Sequence, residues 1–257
     1  MAGPKIVVFD IETSPNLVYS WGLWQQNIAI NQIVEPQDIL CFAAHHVGTK
    51  KIEAHAAWDD RDAMLKRLWT LMDEADYLVG YNHVGFDNKH VRAQFAAAGM
   101  TPPSPHRDID LLRVVKKQFR FPSHKLDYVC RALGLDVKVS TGGMDLWTRC
   151  MNGDEKAQQK MLRYNRQDVR ITTQLFNRLL PWIDNLNVPL FDSGGTATAT
   201  SQDVARCTRC GGTRIQKRGM AHATAHSYQR FKCMECGGWM KSAKSIPRVN
   251  TELLRNA

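Results

Sequence analysis

The residues of this 257-residue chain that could do chemistry fall into two groups, acids spread over residues 10–168 and paired cysteines near the end. Asp10 and Glu12 close an apolar, partly β-branched run at residues 5–10. On an extended strand residues i and i+2 face the same side, so the two carboxylates converge. Acids at the end of a buried strand need a partner to offset their desolvation, and a divalent cation is the usual one; a solvated pair at a strand edge is the alternative. Asp87 ends the segment Gly80-Tyr81-Asn82-His83-Val84-Gly85-Phe86-Asp87, where a strand gives way to a helix. An acid there is also favoured simply by the helix dipole, Phe86 reads as core, and Asn82 could cap a turn. Tyr164 and Asp168 are four apart on a long helix and share a face. An Asp in mid-helix has poor intrinsic propensity, which points to a role other than helix stability. Oxygen donors without His or Cys favour Mg²⁺ or Mn²⁺ over zinc.

The cysteines obey a different logic. Cys207-x2-Cys210, then 22 residues, then Cys233-x2-Cys236 fits a four-cysteine structural zinc site, and each pair is followed by Gly-Gly, which permits a tight knuckle. In a reducing compartment this spacing indicates metal rather than disulfides. A segment this small cannot fold on core burial alone, so one Zn²⁺ would supply much of its stability. Cys41, Cys130 and Cys150 are scattered and read as small buried hydrophobes. The net charge of +9 is also concentrated here: residues 1–204 balance 23 basic against 23 acidic side chains, and the last 53 residues carry the whole excess. A compact basic module favours polyanions, because each neutralised phosphate releases counterions. Basic residues with Tyr228, Phe231 and Trp239 interleaved suit a nucleic-acid grip, with protein docking as the alternative. His45, His46, His83, His90, His106 and His124 show no metal-ligand spacing and read as surface or satisfied core residues. Trp21, Trp24, Trp69 and Trp147 read as core.

Strands are expected at 5–10, 17–24, 39–46, 51–57, 77–81 and 108–112. Helices are expected at 59–75, 86–98 (closed by Gly99), 126–133, 145–151 and 155–180. Strands in succession, then strands alternating with helices, predict an α/β fold with a mixed sheet flanked by helices. Residues 188–204 have linker composition. The domain plan is therefore 1–187 as the acid-bearing domain, 188–204 as linker, 205–244 as the four-cysteine ribbon and 245–257 as a tail. Apolar stretches are too short to span a bilayer and the start lacks the layout of a signal peptide, so the chain reads as intracellular and cytoplasmic.

Taken in order, Phe9-Asp10-Ile11-Glu12-Thr13, Gly80-Tyr81-Asn82 with Gly85-Phe86-Asp87, and residues 164–169 resemble the motifs of the DEDD superfamily of 3′→5′ exonucleases, whose fold is RNase H-like. The pattern is similar to the proofreading domains of family B DNA polymerases and to stand-alone YprB-type, DnaQ-like proteins. It covers about residues 5–180. Tyr at 164 with Arg at 163 resembles the tyrosine subclass, and the cysteine module resembles a zinc ribbon. The resemblance implies two Mg²⁺ or Mn²⁺ ions. Asp10, Glu12 and Asp168 would bind the first, Asp10 would bridge to the second, and Asp87 would help directly or through water. Tyr164 would orient the attacking water. The backbone of Ile11 and Thr13 would hold the terminal nucleotide, Leu17 would wedge against its base, Asn82 would position the strand and Phe86 would stack. The implied function is a metal-dependent 3′→5′ exonuclease on single-stranded ends, DNA ahead of RNA, in replication or repair. A polymerase or other replication protein is the implied partner, and no membrane. A structure-specific endonuclease on the same fold and a non-catalytic nucleic-acid-binding replisome accessory protein remain open. The presence of all four carboxylates and the Tyr argues against a degenerate site.

Overall fold

The computed structural model describes residues 3–24, 26–137, 142–188, 205–223 and 226–246. Contacts divide it into two compact units, Lys5–Phe176 and Asn177–Ala257 with Met1–Pro4.

The first unit is built on a five-stranded sheet of β1 (Ile6–Thr13), β4 (Ile39–His46), β5 (Ile52–Ala56), β6 (Tyr77–Gly80) and β7 (Arg107–Asp110), in the order β5-β4-β1-β6-β7. The central strand β1 runs antiparallel to β4 and parallel to β6, and β6 is parallel to β7. Alternation along β1 sends successive side chains to opposite faces. Val7, Phe9 and Ile11 join a core with α1 (Ala57–Glu74), through Met64, Leu65, Leu68, Leu71 and Met72, and with α2 (Asp87–Ala97), through Val91 and Phe95. On the other face Cys41 and Ala56 pack with Leu146 and Cys150 of α5 (Met144–Met151) and with Ala157 and Met161 of α6 (Glu155–Leu179). The result is a sheet between two helical layers, with the even-numbered residues of β1, Asp10 and Glu12 among them, on the α5–α6 side. This is the expected mixed α/β class. Among the described residues no helix is long and apolar enough to cross a membrane.

Two stretches differ from the sequence expectation. Of residues 17–24 only β2 (Leu17–Val18) is a strand, paired with β3 (Ile33–Glu35) in a two-stranded ribbon. An apolar run makes a strand only if a neighbour covers it, and here none does: Trp21 is 99% and Trp24 83% exposed. Those two tryptophans are therefore not core, whereas Trp69 and Trp147 pack against the two cores. The second stretch is 108–112. The strand stops at Asp110, whose side chain accepts from Leu112 N at 3.0 Å and caps the unexpected α3 (Leu111–Gln118). A further short helix, α4 (Leu126–Ala132), follows.

The second unit carries a three-stranded antiparallel sheet, β10 (Trp239–Lys241), β9 (Ser227–Cys233) and β8 (Ile215–His222), in that order. Val188, the first residue of the expected linker, donates its N–H to Thr208 O at 2.8 Å. The rest of that linker, 189–204, lies outside the described residues. So does the expected tail beyond Ile246, which itself bridges to Ser227.

Candidate active site

Asp10 and Glu12 share a face of β1, and Asp168 on α6 meets them there. One oxygen from each carboxylate lies within 4.8 Å of the others. At that spacing each pair of charges repels by about 3–4 kcal/mol for an effective dielectric of about 20. Asp168 is only 2% exposed. A cluster of hard oxygen donors in this state fits a divalent cation of the Mg²⁺ or Mn²⁺ kind. Its field reaches Cys41, which pairs with Glu12 across β1 and β4. Burial pushes that thiol well above its ordinary range, and the charges of Glu12 and Asp10 push it further.

Asn165 is the residue that sequence reasoning passed over. It is fully buried, and its Nδ2 donates to Asp10 Oδ2 at 2.8 Å and to Asp10 O at 3.3 Å. The one available signal was its place three residues before Asp168 on the same helix face. It ties the acid of β1 to the helix that carries the third acid.

Asp87 opens α2, is 4% exposed, and accepts from Ile11 N at 3.1 Å, between the two β1 acids in the chain. It does not belong to the three-carboxylate group. Burial raises its carboxyl above the ordinary range; the Ile11 N–H and His83 oppose that rise and Asp110 adds to it. The turn that delivers it is tightly specified. Asn82 has φ 67, a left-handed conformation that Asn tolerates better than most residues. Its N–H donates to Asp110 Oδ1 at 2.9 Å, and its carbonyl accepts from Gly85 N and Phe86 N, both at 3.0 Å. Beneath the turn, fully buried His83 pairs through Nε2 with Asp108 Oδ1 at 3.0 Å. Burial alone would raise the Asp108 carboxyl, but hydrogen bonds from His83 and Asn88 outweigh it and hold the group below its usual range. Gly80 leaves the room, since a Cβ there would stand 2.7 Å from His83 Cβ. Asp110, which the sequence did not single out, and His83, read there as a surface or satisfied core residue and found buried, are thus structural supports of the turn.

Tyr164 is half-buried and meets Trp147 edge-on, ring centroids 6.4 Å apart. Trp147 Nε1 in turn donates to Thr13 O at 3.1 Å, tying α5 to the end of β1. Beside this contact a cavity of about 480 Å³ opens, lined by Thr13, Ser14, Gln37, Met144 and Trp147 among others. Gln37 Nε2 donates to Thr13 Oγ1 at 2.8 Å on its wall. Of the remaining expected contacts, Ile11 is buried with its N–H engaged by Asp87. Phe86 is 38% exposed, against the core reading, and its ring lies 4.4 Å from that of His90. Leu17 is exposed on β2.

In the second unit the sulfurs of Cys207, Cys210, Cys233 and Cys236 lie within 4.8 Å of one another. Cys207 to Cys236 is 3.6 Å and Cys210 to Cys233 is 3.7 Å. These separations are far too long for disulfides. They approach the roughly 3.8 Å edge of a tetrahedron with metal–sulfur bonds of about 2.3 Å. Arg209 N and Glu235 N donate to the Cys207 and Cys233 sulfurs, each at 3.4 Å. Gly211 (φ 75) and Gly237 (φ 78) turn the chain in the left-handed region just after each pair.

A mixed five-stranded sheet of this order, with acids on its central strand facing an acid of the last long helix, defines the RNase H-like class of proteins. The chain belongs to the RNase H superfamily, which it matches over residues 7–180. Among solved structures it is similar to the family B DNA polymerase from the hyperthermophilic archaeon Pyrobaculum calidifontis, with a TM-score of 0.53 and 20% identity. The match covers 69% of this chain and 25% of the polymerase, so the shared part is a fraction of that enzyme, and at this identity it speaks for the fold. No curated protein matches the sequence at a meaningful level.

Proposed function

We propose that the chain is a metal-dependent 3′→5′ exonuclease of the DEDD type, tyrosine subclass, acting on single-stranded DNA in preference to RNA. In this reading residues 1–187 form the nuclease and 205–244 a zinc ribbon. The observation that carries the reading is the convergence of Asp10, Glu12 and Asp168, with Asp87 bonded to the strand between the first two. Asp10, Glu12 and Asp168 would hold one divalent ion, and Asp10 with Asp87 would serve a second. Mg²⁺ or Mn²⁺ there supplies positive charge against the scissile phosphate and acidifies water beside it.

The chain's own groups do the rest. Asn165 holds the Asp10 carboxylate in one orientation. Tyr164, one turn before Asp168, orients the attacking water through its hydroxyl; an ordinary phenol with a pKa near 10 is a poor base at neutral pH. The cavity beside Thr13 has room for a terminal nucleotide, with Leu17, Asn82 and Phe86 as outlying contacts to the strand. Water adds to phosphorus and the 3′-oxygen leaves. The four cysteines hold one structural Zn²⁺.

Linear and circular single-stranded DNA of one sequence, incubated with Mg²⁺ or Mn²⁺, test the reading. Degradation of the linear form alone is expected. Cleavage of the circle would replace it with the endonuclease alternative.

A further inference from the structure

We infer that one face of the β8–β9–β10 sheet is a binding surface for single-stranded DNA, which takes phosphates on Arg218, Arg230, Lys232 and Lys241 and bases on Trp239 and Tyr228. The inference rests on the nuclease reading only in naming the strand; the surface is argued from the second unit itself.

Strand alternation sorts its residues onto two faces. On β9, Tyr228, Arg230 and Lys232 point one way, and the register sets Trp239 opposite Lys232, Lys241 opposite Arg230, and Gln216 opposite Lys232. The side chains meet accordingly. Arg230 Cζ and Lys232 Nζ lie 5.4 and 5.7 Å from the centre of the Trp239 ring, and Lys241 Nζ lies 4.5 Å from that of Tyr228. Arg218 reaches the same side through Gln216, Nη2 to Oε1 at 2.8 Å. On the opposite face Cys233 is buried and pairs with Ile215, half-buried Phe231 pairs with Met240 and with the exposed Lys217, and Met240 Sδ accepts from Thr208 N at 3.3 Å. Phe231, an aromatic that the sequence groups with Trp239 and Tyr228, therefore lies on the other face of the sheet, half-buried.

Among the described residues the outer face carries its charge unbalanced. Residues 215–222, 227–233 and 239–241 contain no Asp or Glu, and Glu235 is engaged at the knuckle by Arg214 N at 3.1 Å. Two cations held beside one ring with no acid between them repel each other, and an anion placed there relieves the repulsion. Trp239 is 48% exposed although a small module has every reason to bury an indole. Cations alone would suit any acidic partner. Cations alternating with accessible rings on a flat sheet suit a strand that offers phosphates and unpaired bases together.

The test uses the full chain, zinc-loaded, with Asp10→Ala to prevent cleavage and without added Mg²⁺. Binding of labelled oligothymidylate and of an abasic strand of equal length is followed across a salt series. Converting Arg230, Lys232 and Lys241 together to Gln should lower the salt slope by about 2, since each single-strand phosphate contact contributes about 0.7. Trp239→Ala should weaken oligothymidylate about tenfold and leave the abasic strand nearly unchanged. Trp239→Tyr, which keeps a ring, should restore most of that loss. Full zinc content reports an intact module in each variant. Parental binding by both the triple variant and Trp239→Ala would overturn the inference, as would a Trp239 effect equally large on the abasic strand. Weakened binding of polyglutamate, with DNA unaffected, would reassign the face to an acidic protein. Because binding is read without cleavage, an inactive nuclease that binds through this face refutes only the activity, and an active one indifferent to these residues refutes only the face.

Discussion

Asp10 is held from two directions, by its own strand and by Asn165 on α6, and so the geometry of the carboxylate cluster depends on a neutral side chain that binds nothing itself. Hydrogen bonds of this kind orient metal ligands, and their loss commonly costs 10–100-fold in metal affinity or activity. Asn165→Leu should therefore raise the Mg²⁺ concentration for half-maximal cleavage by about 10–100-fold; an unchanged Mg²⁺ titration would deny Asn165 that role. Tyr164→Phe keeps the ring contact with Trp147 and removes only the hydroxyl. Turnover should fall about 10–100-fold with substrate affinity unchanged, the signature of a misplaced water. The meeting of Asp10 with Glu12 was legible because strand geometry has a period of two, and the placing of Tyr164 and Asp168 one turn apart on α6 because a helix repeats every three to four residues. Asn165 was not, because a helical Asn has too many uses for one sequence to choose among them.

At the scale of elements, β5 and α1 are stapled by Glu53, which accepts from Arg67 Nε at 2.8 Å and Nη2 at 2.7 Å. The Arg67 bonds, against burial and with help from His55, hold the Glu53 carboxyl below its ordinary range. A depressed folded pKa means stability that is present above the unfolded pKa and is lost as pH falls through the folded one. Glu53→Gln should cost about 1 kcal/mol at neutral pH, a figure reduced because Arg67 is partly exposed, and should flatten the loss on acidification below about pH 4. Urea unfolding at both pH values measures it; equal loss in parent and variant would deny the staple. Of the longer elements, α1 was legible from the helical spacing of Met64, Leu65, Leu68, Leu71 and Met72, and β4 from a short apolar run that is buried over most of its length. Residues 17–24 were not, because their apolar content says nothing about whether a neighbour covers it. Nor was α3, whose start depends on Asp110 turning back to cap Leu112 N rather than continuing the strand.

At the scale of the whole molecule, charge and stabilisation are divided between the two units. The first has two apolar cores, while the three-stranded sheet of the second is anchored by buried Cys207 and Cys233. Metal at the cysteines would therefore carry most of the second unit's folding free energy. A zinc chelator, or Cys233→Ser, should abolish a separate thermal transition of the second unit and leave that of the first in place; zinc retained at full stoichiometry in Cys233→Ser would contradict the four-thiolate site. The charge division and the cysteine spacing were both legible in the sequence, whereas the sorting of Trp239 and Phe231 to opposite faces needed the strand register. The central claim, cleavage from the 3′ end at the Asp10 cluster, is tested most directly with 5′-labelled single-stranded DNA and RNA, Mg²⁺ or Mn²⁺, and Asp10→Ala as control. The account predicts a metal-dependent ladder of products shortening stepwise from the 3′ end, stronger on DNA and absent in the variant. No cleavage of either strand with either metal while binding persists, or an undiminished ladder from Asp10→Ala, would contradict it.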